Sequence, residues 1–360
     1  MRIVPGGPLS RRAAAGVAAV GILLGGAACS SSSGSTTGSG SSTINGAGST
    51  FAAPMYQQWA GQYKASHGTQ INYQAIGSGG GISEFTQGVV NFGATDAPMT
   101  STEQAAAQAG VGSIALHIPM IIGAIAIIYN EPAVRNLKLD GPALAGIYLG
   151  TIKKWNDPAI KKLNPGVTLP SDAIQPVQRS DSSGTSYAFT SYLSAISPTW
   201  ASQVGASKTP SFPTGTGATG SSGVAAAVQQ TKGSLGYVEY GYATQGHIPF
   251  ASMKNASGQF VAPSTASTNA AAAAATYPTK VTQLTFSLVN SSASGAYPLV
   301  TPTYILIAQK QKNTATGSEL KAWLHWDLAS AQQGETPKLG YAPLPSKLVS
   351  LDLAALKTVH

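Results

Sequence analysis

The sequence predicts an α/β protein of about two domains, on three observations. The chain has 360 residues, enough for two hydrophobic cores. Only 9% of them are charged, and Val/Ile/Leu runs separated by glycines fill the space; a disordered chain shows high net charge and few apolar runs instead. A short apolar run, a glycine-containing turn and a helix recur in that order along the chain. There is no sequence repeat beyond that design.

The first segment carries an address. Arg2, Arg11 and Arg12 precede an apolar stretch from Ala13 to Leu24, and small residues Gly25 to Ala28 lead into Cys29, the single cysteine. That is the layout of an export signal, with an apolar stretch too short for a stable membrane anchor. A cysteine at the cleavage point followed by Ser30 to Ser42 resembles a bacterial lipoprotein signal. The resemblance implies a signal peptide over 1–28, a lipid on the Cys29 thiol and a Ser/Gly-rich tether over 29–42. Gly26 stands where leucine is usual three residues before the cysteine, and an ordinary secretory signal with an incidental cysteine is the alternative. One cysteine forms no disulfide framework.

Beyond the tether, Thr43 to Gly48 reads as a strand ending in a glycine turn. Met55, Trp59 and Tyr63 follow at near-helical spacing, with Pro54 where an opening helical turn tolerates it. Gln70 to Ile76 alternates as a strand, Gly77 to Gly81 reads as a turn, and Ile82 to Gln87 as a helix. The glycine run is not GxGxxG, and no lysine follows to make a nucleotide loop. Val89 to Thr95 reads as a third strand ending at Asp96. His117 to Asn130 is apolar but punctuated by Pro119 and Gly123, which predicts two strands or one bent strand, not a membrane helix. Leu144 to Tyr148 and then Thr151 to Ile160 read as helices, stopped by Asn164-Pro165-Gly166. A Gly/Thr/Ser-rich segment from Thr214 to Gly223 opens a helix over Val224 to Gln230, and Ser234 to Tyr240 reads as a strand. The alanine run Ala270 to Ala275 predicts a peripheral helix. Tyr304 to Ala308 reads as a buried strand, Glu319 to Ala331 as an amphipathic helix, and Leu348 to Leu356 as a final helix.

Gln178 to Ser186 is the stretch around which the rest is organised. It places Arg179, Asp181 and a Ser183-Gly184-Thr185 turn between a short apolar run and a helix through Tyr187 to Leu193. A helix mouth presents unpaired N–H groups and the positive end of the dipole, which favour an anion. An ordinary capped helix with a surface arginine is the bland alternative, but the helix openings near Thr50 and Ser78 repeat the pattern. In open α/β sheets ligands sit beyond the carboxyl ends of strands. Asp96 occupies such an end, and a carboxylate beside two anion-friendly helix mouths needs a role of its own.

Several function classes are disfavoured. The net charge is +8, but the first 28 residues hold three of the 21 basic residues and no acid. No Lys/Arg cluster is interleaved with aromatics, which argues against nucleic acid. Ser183 or Thr185 as a hydrolase nucleophile would need a base or a metal. The histidines (His67, His117, His247, His325 and His360) are scattered, and there is no GxSxG elbow or clustered metal-ligand pattern. The sequence therefore predicts no enzyme, no cofactor and no metal, with an exported phosphoester hydrolase as the alternative and a surface adhesin with a vestigial site as a third reading.

Six blocks carry a family resemblance: GAGSTFAAP at 46–54, YQAIGSGGG at 73–81, VNFGATDAPM at 90–99, IYLGTIKKWNDPAIKKLNPG at 147–166, RSDSSGTSYAFTSYL at 179–193 and GSLGYVEYGYA at 233–243. In this order and over nearly the whole mature chain, the sequence resembles the periplasmic phosphate-binding proteins of phosphate ABC transporters. The resemblance implies a two-lobe periplasmic-binding-protein fold (type II) with ligand in the interlobe cleft. It places lobe 1 at 43–118 plus 303–360 and lobe 2 at 119–302, with crossing hinge strands near Pro119 and Thr303. It implies inorganic phosphate held by Thr50, Phe51 through its N–H, Ser78, Asp96, Arg179, Asp181, Ser183, Gly184 and Thr185. It further implies delivery to a membrane permease with its ATPase, a monomer, and location outside the cell membrane on the Cys29 lipid. Ser182 stands where many members have Gly, and Ala52 where Pro is usual, which bears only on loop and cap geometry.

The residue chemistry gives Asp96 its role. Phosphate near neutral pH keeps at least one proton, whereas sulfate only accepts. An ionised carboxylate is acceptor-only, so Asp96 takes the O–H of phosphate and meets only lone pairs on sulfate. Arg179 supplies the fixed cation through planar donors. Asp181, two residues on, is expected to orient that guanidinium, a plain surface acid being the alternative.

Overall fold

The computed structural model describes residues 43–360. The export signal, Cys29 and the tether lie outside the described residues. In chain order the elements are β1 (Thr43–Gly48), α1 (Ala53–His67), β2 (Gln70–Ala75), α2 (Ser78–Thr86), β3 (Phe92–Thr95), α3 (Ser101–Val111) and β4 (Ala115–Asn130). There follow β5 (Lys138–Leu139), α4 (Gly141–Tyr148), α5 (Pro158–Leu163), β6 (Gln175–Arg179), α6 (Gly184–Ile196), α7 (Pro198–Gln203), β7 (Thr216–Ala218), α8 (Gly220–Gln230), β8 (Ser234–Glu239) and α9 (Tyr240–Gln245). Then come β9 (Ser252–Lys254), β10 (Phe260–Val261), α10 (Thr265–Ala273), β11 (Val300–Ala308), α11 (Thr314–Asp327), α12 (Ser330–Gln333), β12 (Tyr341–Ala342) and α13 (Ser346–Lys357).

Among the described residues one sheet runs in the order β2-β1-β3-β11-β4-β8-β6-β7, with β12 also on β4, and a small sheet joins β10, β9 and β5. β1, β2 and β3 are parallel, as are β6, β7 and β8. β4 links the two sets: its first part pairs antiparallel with β11 and its last part with β8. Its residues through Tyr129 are buried, as expected of a strand covered on both faces. The apolar run is thus one continuous strand through Pro119 and Gly123. The irregularity lies in β4 beside Pro119: Thr303 and Tyr304 of β11 face Ile121 and Pro119, so Met120 is the extra residue. Gly123 makes room for the Phe51 ring, since a Cβ there would lie 2.5 Å from it.

Four further expectations are corrected. α2 starts at Ser78 and takes in the glycine run. Only Gly77 acts as a turn residue, with φ of 87°. Gly79 and Gly81 are packing residues: Cβ atoms there would stand 2.1 Å from Ser182 Oγ and 2.5 Å from the Ala47 carbonyl. α3 is unexpected; Thr100 and Glu103 form its capping box. Residues 151–157 are not helical, because α5 begins at Pro158 behind the Asp157 cap. α11 ends at Asp327 and α10 ends within the alanine run, both short of the expected limits.

The core has two aromatic centres. Phe92 of β3 packs on Trp323 of α11, so the chain's last quarter returns to its first strands. Phe189 of α6 stacks on Tyr237 of β8 with centroids 4.2 Å apart. Among the described residues no helix is long and apolar enough to cross a membrane.

Candidate functional site

The carboxyl ends of the parallel strands supply the site. β1 runs into Ser49 and Thr50 before α1, β3 ends at Asp96, β6 ends at Arg179 before α6, and β7 leads into α8. This is where open α/β sheets place ligands. The predicted residues converge there, and all but Asp181 are buried.

Asp96 is the centre. Ser49 Oγ donates to its Oδ1 at 2.5 Å, Ser78 Oγ lies 3.4 Å from Oδ2, and the Asp96 N–H donates to Ser78 Oγ at 3.2 Å. Gly184 of α6 packs closely on the Ser78 hydroxyl and on the Asp96 Cβ and N. A Cβ on Gly184 would stand 2.5 Å from Ser78 Oγ and 2.7 Å from Asp96 Cβ, so only glycine permits this approach. We therefore expect Gly184→Ala to force the two strand sets apart. It should weaken anion binding by roughly 1–3 kcal/mol, the usual cost of overpacking, in a titration run beside a thermal melt of the ligand-free variant.

Arg179 pairs with Asp181 through two hydrogen bonds: Nε donates to Oδ1 at 2.7 Å and Nη2 to Oδ2. Nη1 reaches Thr185 Oγ1 at 3.4 Å. Asp181 thus fixes the guanidinium plane, and it is itself held by the Gly220 N–H at 3.0 Å. Burial pulls Asp181 upward, but the hydrogen bonds and charge of Arg179 hold it below the ordinary carboxylate range. Phe51 is buried, and its carbonyl accepts from Tyr341 O–H at 2.6 Å, leaving the N–H for a ligand. Gly184 and Thr185 open α6, so their N–H groups have no acceptor within the helix.

The Ser183 N–H is already given to the Lys208 carbonyl at 2.9 Å. Ser183 Oγ caps α6 by accepting from the Ser186 N–H, which leaves its hydroxyl proton uncommitted. Lys208 in turn pairs with Glu103 of α3 at 2.6 Å, tying the loop after α7 to the helix after β3.

Sequence reading missed the fourth helix mouth. Ser221 of α8 donates its N–H to Thr50 Oγ1 at 3.2 Å, its hydroxyl lies 3.1 Å from the same atom, and Tyr242 O–H donates to the Thr50 carbonyl at 3.0 Å. The Gly220-Ser-Ser-Gly223 run carried the signal, since it opens a helix as the other glycine turns do. Tyr242 lies in the block at 233–243, but no spacing there marks it as a partner of Thr50. Ser49 was in view inside the first block but was passed over for its neighbour.

Burial dominates the electrostatics. It drives Asp96 up to about 7, against Ser49, Arg179 and Ser78, which all favour the charged form. It also drives Glu239, the N-cap of α9, up to about 8 against the Gly241 and Tyr242 N–H groups. Both values exceed those of an unfolded chain, so the folded protein binds more protons and loses stability as pH rises through them. Buried His117, held down to about 4, acts in the opposite sense but only below its unfolded value. The ligand-free protein should therefore melt lower at about pH 8.5 than at about pH 6.5. A melting temperature that rises over that interval contradicts these shifts.

The fold gathers these donors and the Asp96 carboxylate between two sets of parallel strands. A family model described as a PBP superfamily domain matches residues 32–330. The phosphate-binding protein PstS of Pasteurella multocida is 41% identical over 318 residues, covering 88% of this chain and 90% of that one. PstS 3 of Mycobacterium tuberculosis is 37% identical over 356 residues, covering 92% and 95%. The chain belongs to the PstS family of phosphate-binding proteins. Among solved structures, the phosphate-binding protein from Stenotrophomonas maltophilia superposes with a TM-score of 0.68 at 20% identity, covering 87% of this chain and 93% of that one. A high-affinity periplasmic phosphate-binding protein bound with phosphate gives 0.70 at 20% identity, with the same coverage. These likenesses show the two-lobe periplasmic-binding fold. The relatives are named as binding proteins, not as enzymes.

Proposed function

We propose that this protein binds inorganic phosphate outside the cell membrane and delivers it to an ABC-type permease. Thr50, Phe51, Ser78, Asp96, Arg179, Asp181, Ser183, Gly184 and Thr185 form the site, with Asp181 acting through Arg179. One observation carries the reading: a fully buried carboxylate shares its small space with helix mouths and a neutralised guanidinium. A site for a fully deprotonated anion would gain nothing from that carboxylate. A site for a tetrahedral oxyanion that still holds a proton uses it as the acceptor.

Asp96 titrates near neutrality, so the complex holds one proton between Asp96 and the oxyanion whichever partner brings it. Sulfate brings none, and above pH of about 7 it faces an ionised, desolvated Asp96. The remaining donors are fixed dipoles that stabilise an anion without reorganising. Lobe 1 comprises 43–118 plus 303–360 and lobe 2 comprises 119–302, with β4 and β11 crossing between them. The return of α11 to β3 supports that division. Cys29 carries the lipid that keeps the protein at the membrane, and the protein acts as a monomer without hydrolase activity.

Equilibrium dialysis of the mature protein against labelled phosphate tests the reading, beside an assay with a chromogenic phosphate ester with and without divalent metal. Saturable phosphate binding without ester turnover is expected. Turnover, or no binding, overturns it.

A further inference from the structure

Ser49 is buried and held at three points. Its N–H donates to the Ala94 carbonyl at 3.0 Å, its carbonyl accepts from Tyr73 O–H at 2.7 Å, and its Oγ accepts from the Ala52 N–H at 3.1 Å. With the backbone clamped and one lone pair occupied, the hydroxyl proton is directed onto Asp96 Oδ1. The other oxygen, Oδ2, has only the long contact from Ser78. The side chain is therefore set with one oxygen satisfied and one available.

We propose that Ser49 is the positioning residue that turns Asp96 and favours its carboxylate form, so that Oδ2 is ready for the ligand's proton and sulfate is refused. This rests on the reading of the site as one for phosphate. Ser49 does not touch the ligand; it acts through Asp96. Its hydrogen bond is the largest influence favouring the charged carboxylate, ahead of Arg179 and Ser78. The other ionisable groups whose charge couples to Asp96 are Glu239 at the end of β8, Tyr56 on α1, Tyr73 on β2 and Tyr341 on β12. Burial holds each of these toward its neutral form, so Ser49, Arg179 and Ser78 are the groups that oppose burial and favour the charged form of Asp96.

Without the hydroxyl, Asp96 keeps its proton to higher pH and can donate it to a sulfate oxygen. No bond other than that O–H is remade. Two measurements on Ser49→Ala and on Ser49→Cys, whose thiol is the weaker donor, test this. Carboxyl-carbon NMR titration of the ligand-free proteins, with the Asp96 signal assigned by its loss in Asp96→Asn, should place Asp96 highest in Ser49→Ala and lowest in the unmodified protein. The shift to alanine should be at least ~1 pH unit, about tenfold in proton affinity. Sulfate affinity near pH 8 should rise by a comparable factor, about tenfold, in Ser49→Ala. An unmoved Asp96 titration overturns the proposal, as does a moved titration with sulfate still refused. These failures differ from that of the phosphate reading, which falls when the unmodified protein binds no phosphate in equilibrium dialysis.

Discussion

Asp96→Asn should collapse the preference for phosphate over sulfate. The amide has the carboxylate's shape, so packing against Ser49, Ser78 and Gly184 is kept. What changes is the charge and the proton balance. The amide NH2 donates to any oxyanion oxygen, and no negative charge remains to repel sulfate. Phosphate loses its charge-assisted acceptor and sulfate gains a donor, so the two affinities converge from both directions. A site that hydrogen-bonds one ligand and leaves a buried group unpaired with the other discriminates by about 10⁴–10⁵. The variant should lose at least ~100-fold of that ratio. Calorimetric titration with each anion near pH 8 reads it directly. Sulfate still refused by Asp96→Asn would remove Asp96 from the mechanism.

Arg179→Ala should weaken phosphate binding by at least ~2 kcal/mol, as truncating one partner of a buried charge pair does. Two losses combine. The ligand forfeits the guanidinium, and Asp181 keeps its charge with only backbone N–H groups, among them that of Gly220, to hold it. The orphaned carboxylate then sits near the anion. Restoring charge alone should not suffice: Arg179→Lys has no planar fork to meet both Asp181 oxygens while reaching Thr185. The same titration with both variants checks this. Lysine matching arginine would mean that net charge alone matters.

The site was legible in the sequence wherever its chemistry and its local structure coincide. Arg179 and Asp181 are two residues apart at a strand end, so their pairing follows from short-range geometry. Asp96 was legible because it ends a strand beside helix mouths. The Thr50–Ser221 contact joins residues far apart in the chain, and no local pattern encodes it. Ser49 was hidden for a related reason: a serine next to a candidate ligand looks like turn filler until the carboxylate it serves is known.

The fold shows the same division. β4 was ambiguous because a punctuated apolar run does not reveal that one extra residue beside the proline keeps the strand paired. The helical glycines of α2 looked like a turn because glycine is a turn former by default. Here the approach of Ser182 and of the β1 backbone requires it. α3 was a different case. Its capping box was written in Thr100 and Glu103, but a weakly apolar helix on the surface offers little periodicity to draw attention to it.

The most direct test is made on the unmodified protein. One titration with phosphate and one with sulfate, both near pH 8 where Asp96 is ionised, ask whether a buried acceptor sorts oxyanions by the hydrogen they carry. Tight phosphate binding with sulfate refused is the predicted result. Comparable affinity for the two anions at that pH contradicts the account.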